Sequence, residues 1–166
     1  LELLKNSQDR IRSMSLIHEL LYQTKDFSTI QFSEYIKSIA TNLFHSYNQN
    51  KKIVLEQDLD DIQLNLDLAI PCGLIVNELI TNALKYAFDE KEAGLVKIGL
   101  KEEKGLINLI ISDDGKGFPK NINFRETSSL GMQLVVSLVE QVDGEILLNS
   151  EKGTQYTVTF KAPFLK

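Results

Sequence analysis

The chain carries two hydrophobic periodicities, and the change from one to the other falls near residue 52. Before it, Leu4, Ile11, Met14, Ile17 and Leu21 recur at intervals of three, four or seven, which predicts a helix over 1–24 with one apolar stripe. That spacing also suits the seam of a two- or four-helix bundle. "TKDFST" is a polar break, and Phe32, Ile36, Ile39 and Leu43 then mark one face of a second helix over 31–47. After residue 52, "KIVLEQD" and "IQLNLD" alternate with period two and read as strands. Pro71 opens a helix running to about Ala87, because a first-turn proline lacks only an N–H that would have no partner there. "LVKIGLKEE" and "GLINLIISDDG" predict a hairpin around Lys104-Gly105, followed by a loop over 114–130. A helix from about Gly131 to Val142 carries Leu134, Leu138 and Val142 on one side, and "GEILLNS" with "GTQYTVTFKA" forms a closing hairpin around Glu151 to Gly153. This order predicts an α+β fold: a two-layer α/β sandwich on a mixed, mainly antiparallel sheet, preceded by an N-terminal helical segment.

Composition narrows the picture. At 166 residues and 43% hydrophobic content the chain fits one globular domain with a short appended element. Its net charge of -5 and the lack of any Lys/Arg cluster argue against a nucleic-acid partner. A single cysteine excludes an internal disulfide framework and is compatible with a reducing cytosol, so a cytoplasmic location is expected. Cys72 lies in the apolar run "AIPCGLIV" and reads as a small core residue. No apolar run reaches the roughly 18 residues of a membrane span, and no signal-peptide pattern is present. The sequence opens in mid-helix without an initiator Met, so we read it as a piece of something longer.

Familiar phosphate and metal motifs are missing. Nothing matches G-x-x-x-x-G-K-[ST], no two His lie at metal spacing, and no Cys pair exists. "DLDDIQLNLDLA" resembles a calcium loop superficially, but it lacks the glycine and glutamate such a loop needs and alternates like a strand. Three other stretches carry more. In "NELITNALKYAF", Glu78, Asn82, Lys85 and Tyr86 share one face of an α-helix, while Leu79, Ile80, Ala83, Leu84 and Ala87 point to the core. The plain reading is a solvated polar stripe; against it, an Asn amide oxygen is a good hard ligand for Mg²⁺. In "IISDDGKGF" an apolar strand ends in two carboxylates and two glycines, either a common Asp-Gly turn or a corner where backbone approaches a ligand closely. In "SSLGMQLV" a glycine follows a polar loop at a helix start, either an ordinary serine cap or a flexible lid whose helix end faces an anion.

Taken together and in this order, these stretches resemble the Bergerat-fold (GHKL) ATP-binding domain of sensor histidine kinases. "NELITNALKYAF" looks like the N box, "DDGKGF" the D-x-G-x-G box, "SSLGMQLV" the second glycine box and "GTQYTVTF" the closing G-T strand, over about residues 50–162. "RIRSMSLIHELLYQTKDFSTIQFSEYI" resembles the end of the dimerisation and phosphoacceptor region in the HisKA_2-like subgroup, whose N box reads E-L-x-T-N-A. The resemblance implies a boundary near residue 30, with residues 1–30 ending the dimerisation region and 31–166 forming the ATP-binding catalytic domain.

It also implies roles. Asn82 would hold the Mg²⁺ carried by the triphosphate of ATP, and Lys85 would reach phosphate oxygens as a mobile charge. Glu78 stands where most histidine kinases have a second Asn, as in the hydrolytic relatives and in the E-L-x-T-N-A subgroup. Tyr86 would pack near the nucleotide or join the core. Asp113 would accept a hydrogen bond from the adenine exocyclic amine, supported by Thr154, with Asp114 solvated. Gly115 and Gly117 would admit the ligand to the backbone, and Leu130 and Gly131 would mark the lid end near the phosphates. This chain has one glycine there, where many histidine kinases have G-x-G. The implied chemistry is phosphoryl transfer from ATP to a histidine, then to an aspartate on a response-regulator receiver domain, in a homodimeric parent.

His18 is the tempting acceptor, yet in this subgroup the acceptor lies in an upstream H-R-x-K-N-N type motif, which this sequence lacks. His18 matches the later "IHELLY" segment and is expected to pack in the bundle seam. His45 sits near a helix end, a favourable dipole position. Two other readings remain at this point: an anti-sigma-type protein-serine kinase, and a nucleotide-binding module without transfer activity.

Overall fold

The computed structural model describes residues 4, 7, 8, 11, 15, 19, 29–47, 52–89 and 93–163. The first six are helical and exposed. His18, Met14, Ile17 and Leu21 lie outside the described residues, and so does the expected bundle seam they would form.

The chain builds strand β1 (Thr29–Gln31), helix α1 (Phe32–Tyr47), β2 (Lys52–Leu59), β3 (Gln63–Asn65), α2 (Leu66–Asn82) with a π-helical extension (Ala83–Ala87), β4 (Ala93–Glu103), β5 (Leu106–Asp113), a 3₁₀ turn (Phe124–Glu126), α3 (Leu130–Gln141), β6 (Glu145–Asn149) and β7 (Thr154–Lys161). Five strands form one sheet in the order β2-β4-β5-β7-β6, while β1 and β3 pair separately. Only β2 and β4 run parallel; the other three pairings are antiparallel. The expected mixed, mainly antiparallel sheet is therefore the one found.

Alternation decides which sheet face is covered. Along β5, Ile107, Leu109, Ile111 and Asp113 are buried, and along β7 so are Tyr156, Val158 and Phe160. Three helices cover that face, with α2 between α1 and α3. The expected apolar face of α1, Phe32, Ile36, Ile39 and Leu43, is buried, and Tyr35 and Ala40 join it. Helix α2 is apolar almost all round, as a helix enclosed on every side must be. Its span with the π extension, Leu66–Ala87, is long and apolar enough to cross a membrane by composition, but 72% of that window is buried inside the domain. Cys72 is fully buried within it.

Some boundaries differ from the sequence expectation. Helix α2 starts five residues before Pro71, because the Asn65 side chain accepts from the Leu68 N–H (3.1 Å) and caps it. Pro71 thus sits in the second turn and costs one internal hydrogen bond. The "IQLNLD" strand shrinks to three residues, which leave the main sheet to pair with β1, a strand at the junction of the expected polar break and helix start. The β4–β5 hairpin is as expected, with positive φ at Lys104 (52°) and Gly105 (77°), the geometry of a tight two-residue turn.

Candidate functional site

The four boxes converge on one cavity of about 360 Å³ between the sheet and helices α2 and α3. Asn82, Tyr86, Asp113, Gly117 and Thr154 line it, with Leu79, Ile111, Met132 and Tyr156 supplying apolar wall and Lys116 its cation. A volume of this order is ordinary for a small-ligand site with a few polar groups in an apolar lining.

Asp113, 8% exposed, ends the central strand β5 at the floor of the cavity. Its Oδ1 accepts from the backbone N–H of Gly115 (2.9 Å) and of Thr154 (3.3 Å). Burial pushes its carboxyl above the usual carboxylate range, and the hydrogen bonds from Gly115 and Thr154 only partly offset that. The glycines beside it are there for space. A Cβ on Gly115 would run into the carbonyl oxygen and Cβ of Ala87, and Gly117 holds φ +80°. Gly153, expected only as a turn glycine and the start of the closing G-T strand, holds φ +79°, and a Cβ there would overlap the Asp113 carbonyl oxygen. Asp114 is exposed, as expected, but its Oδ1 also accepts from the Leu95 N–H (2.8 Å) and ties the corner to β4.

The N-box helix does not keep its polar residues together. Winding changes from α to π after Asn82, and a π turn carries more residues per turn, so positions after it rotate away from an α-helical face. Asn82 lines the cavity, with its amide 3.5 Å from the Met132 sulfur. Tyr86 also lines it and is 51% exposed, which rules out the core alternative. Lys85 lies instead over the Tyr47 ring, 5.3 Å from its centroid, outside the cavity lining. Glu78 is 6% exposed and meets the start of α3: a Cβ on Gly131 would lie 2.6 Å from its Oε2. A helix N-terminus is a favourable place for a carboxylate. Gly131 therefore makes room for Glu78, while Leu130 beside it is 61% exposed; neither residue lines the cavity.

The loop between Gly117 and α3 is pinned in its middle, a feature without a sequence signal. Phe124 meets the Tyr156 ring edge-on at 5.8 Å, and Arg125 donates from Nη2 to the Ile146 carbonyl oxygen (2.7 Å). Among the described residues no three His, Cys, Asp or Glu side chains converge as a metal cluster. One neutral amide oxygen, on Asn82, fits a cation that arrives already held by phosphate oxygens and water.

A helix-backed mixed sheet with a buried carboxylate and close-approach glycines at a strand end defines an α+β domain with a small-ligand site over one sheet face. The chain belongs to the Histidine kinase-, DNA gyrase B-, and HSP90-like ATPase family, whose model matches residues 68–165. A second family model, described as Histidine kinase, matches residues 1–47. The sensor histidine kinase PdtaS of Mycobacterium tuberculosis is 27% identical over 164 residues, covering 98% of this chain and 32% of that protein. Blue-light-activated histidine kinase 2 of Erythrobacter litoralis is 28% identical over 149 residues, covering 84% of this chain and 42% of that one. The chain thus spans about a third to two fifths of the length of these two relatives. Among solved structures, the histidine kinase domain of the Erythrobacter litoralis EL346 blue-light activated histidine kinase superposes with a TM-score of 0.88 at 23% identity, over 95% of this chain and 75% of that one. The Bergerat-type fold expected from the sequence is the fold found.

Proposed function

We propose that this chain is the ATP-binding catalytic part of a sensor histidine kinase, which transfers the γ-phosphoryl group of ATP to a histidine outside residues 1–166. The observation that carries this reading is Asp113. A buried carboxylate with one oxygen committed to two backbone donors keeps its second oxygen as an acceptor, suited to the exocyclic amine of adenine. Thr154 supports it, and Gly115, packed against Ala87, and Gly117, at φ +80°, shape the corner that would face the base. Tyr86 would flank the nucleotide at the cavity wall. Asn82 would present its amide oxygen to the Mg²⁺ that neutralises phosphate charge when bound. Lys85 would leave Tyr47 to reach the phosphates, and Glu78 would act on the phosphoryl side, held by the first turn of α3 where Leu130 and Gly131 lie.

The rest follows the resemblance: a homodimeric parent, onward transfer to a response-regulator receiver domain, and a cytosolic setting where ATP is supplied. We place the boundary between dimerisation region and catalytic domain near residue 30. Although the Histidine kinase match runs to residue 47, α1 buries its apolar face in the same core as α2.

The test is labelling. Incubated with γ-labelled ATP and Mg²⁺, the full parent protein should acquire phosphate that is acid-labile and alkali-stable, as phosphohistidine is. An acid-stable phosphoserine, or no Mg²⁺-dependent ATP binding by calorimetry, would sink the proposal. A second expectation concerns Gly131→Ala. Its new methyl must displace the Glu78 carboxylate, so phosphoryl transfer should fall on the order of 10- to 100-fold while the Kd for ATP changes little, because misplacing a reacting group by about an ångström has that effect. Equal loss in both quantities would assign Gly131 to nucleotide binding instead.

A further inference from the structure

The cavity contains a polar group that the reading above leaves without a task. In the β5–β7 register Asp113 faces Thr154 and Ile111 faces Tyr156. With period two, all four project from the sheet face that floors the cavity. Tyr156 is then the diagonal neighbour of Asp113, at a Cα separation of about 7–8 Å that a phenol easily spans. The residue is 6% exposed and still lines the cavity. Its ring is held from the other side by the edge contact with Phe124, in the turn that Arg125 fastens to Ile146.

Phenylalanine would fill the same space without a polar atom, whereas a buried phenol normally finds a hydrogen-bond partner. Burial and the nearby Asp113 carboxylate push this phenol up, so it stays protonated and available as a donor. Among the described residues no hydrogen bond reaches it.

We propose that Tyr156 is a second base-reading residue: its hydroxyl donates to a ring nitrogen of the adenine whose exocyclic amine Asp113 accepts. This rests on the reading that the cavity binds ATP. Two adjacent groups of opposite sense, one acceptor and one donor, then match the amine and the ring nitrogen that adenine carries side by side. Specificity of this kind is strong because a base lacking the matching pattern leaves a buried group unpaired.

Tyr156→Phe tests it, since the ring and its contact with Phe124 are retained. Binding of Mg²⁺-ATP by calorimetry should weaken about 5-fold, in line with the loss of one hydrogen bond. Inorganic triphosphate, measured as a competitor because it has no base, should bind the variant and the wild type equally. Unchanged ATP affinity, or an equal loss for ATP and triphosphate, would overturn the proposal. Wild-type protein that fails to bind ATP would instead remove the ATP reading itself, while Asp113-dependent ATP binding with a neutral Tyr156→Phe would remove only this inference.

Discussion

Asp113→Asn is expected to weaken ATP binding about 100-fold and leave the fold intact. The two side chains have the same shape, and the amide oxygen of asparagine can keep the hydrogen bonds from Gly115 and Thr154 that Oδ1 now accepts. What changes is the second oxygen, which becomes an NH₂ group. A donor then faces the donor of the adenine amine, so a charge-assisted hydrogen bond worth about 1.5–3 kcal/mol is lost and an unpaired group is left behind. Calorimetry measures the affinity, and a thermal melt checks the fold. Stability should not fall at neutral pH. Asp113 binds its proton more tightly folded than unfolded, so its contribution is fully present below the unfolded value and is lost as pH rises through the raised folded one. Above that window the buried charge opposes folding, and asparagine removes it. ATP affinity should run the other way in the wild type: it declines on acidification, starting above the ordinary carboxylate range, and this decline is absent from the variant. An Asp113→Asn protein that binds ATP normally would show that the carboxylate does not read the base.

Gly153→Ala is expected to be the most damaging single-methyl change in the site. At φ +79° an alanine is strained by about 1–3 kcal/mol, and its Cβ would overlap the Asp113 carbonyl oxygen. That oxygen belongs to the backbone of a central strand, so no side-chain rotation relieves the clash. A loss of about 3 kcal/mol corresponds to a fall in Tm of roughly 10 °C for a domain of this size. ATP affinity should fall as well, because Gly153 precedes Thr154 and any shift there moves the Thr154 N–H from which the carboxylate accepts. A variant that melts with the wild type would mean that the β6–β7 turn has more freedom than its geometry implies.

Much of this was legible in the sequence. The strands β4, β5 and β7 follow from alternation, and α3 from its leucine spacing, because both patterns are local. Asn82, Asp113, Gly117 and Thr154 lie in short boxes, and they do meet at one cavity. The misses have physical reasons. Asn65 is a good helix cap, but the period-two run around it hid that role, and Pro71 offered a more visible start. The change to π winding after Asn82 has no periodic signature over five residues, so the expected shared face holds for Asn82 and Tyr86 but not for Lys85. Phe124 and Arg125 sit in a polar loop with nothing to distinguish them from solvated neighbours.

The amino-acid sequence by itself determined most of the element types, the α+β class and the short stretches that line the cavity, since helix and strand periods, turn glycines and polar boxes are written over a few residues at a time. Only the tertiary structure decided which of those residues act on one another. Gly131 and Glu78 are far apart in the chain and meet because α3 packs on α2. Gly153 is required by a carbonyl on another strand, and Tyr156 reaches the cavity because antiparallel register sets it diagonally from Asp113. Side-chain meeting depends on packing and register, which many distant residues fix together, and no local pattern encodes them.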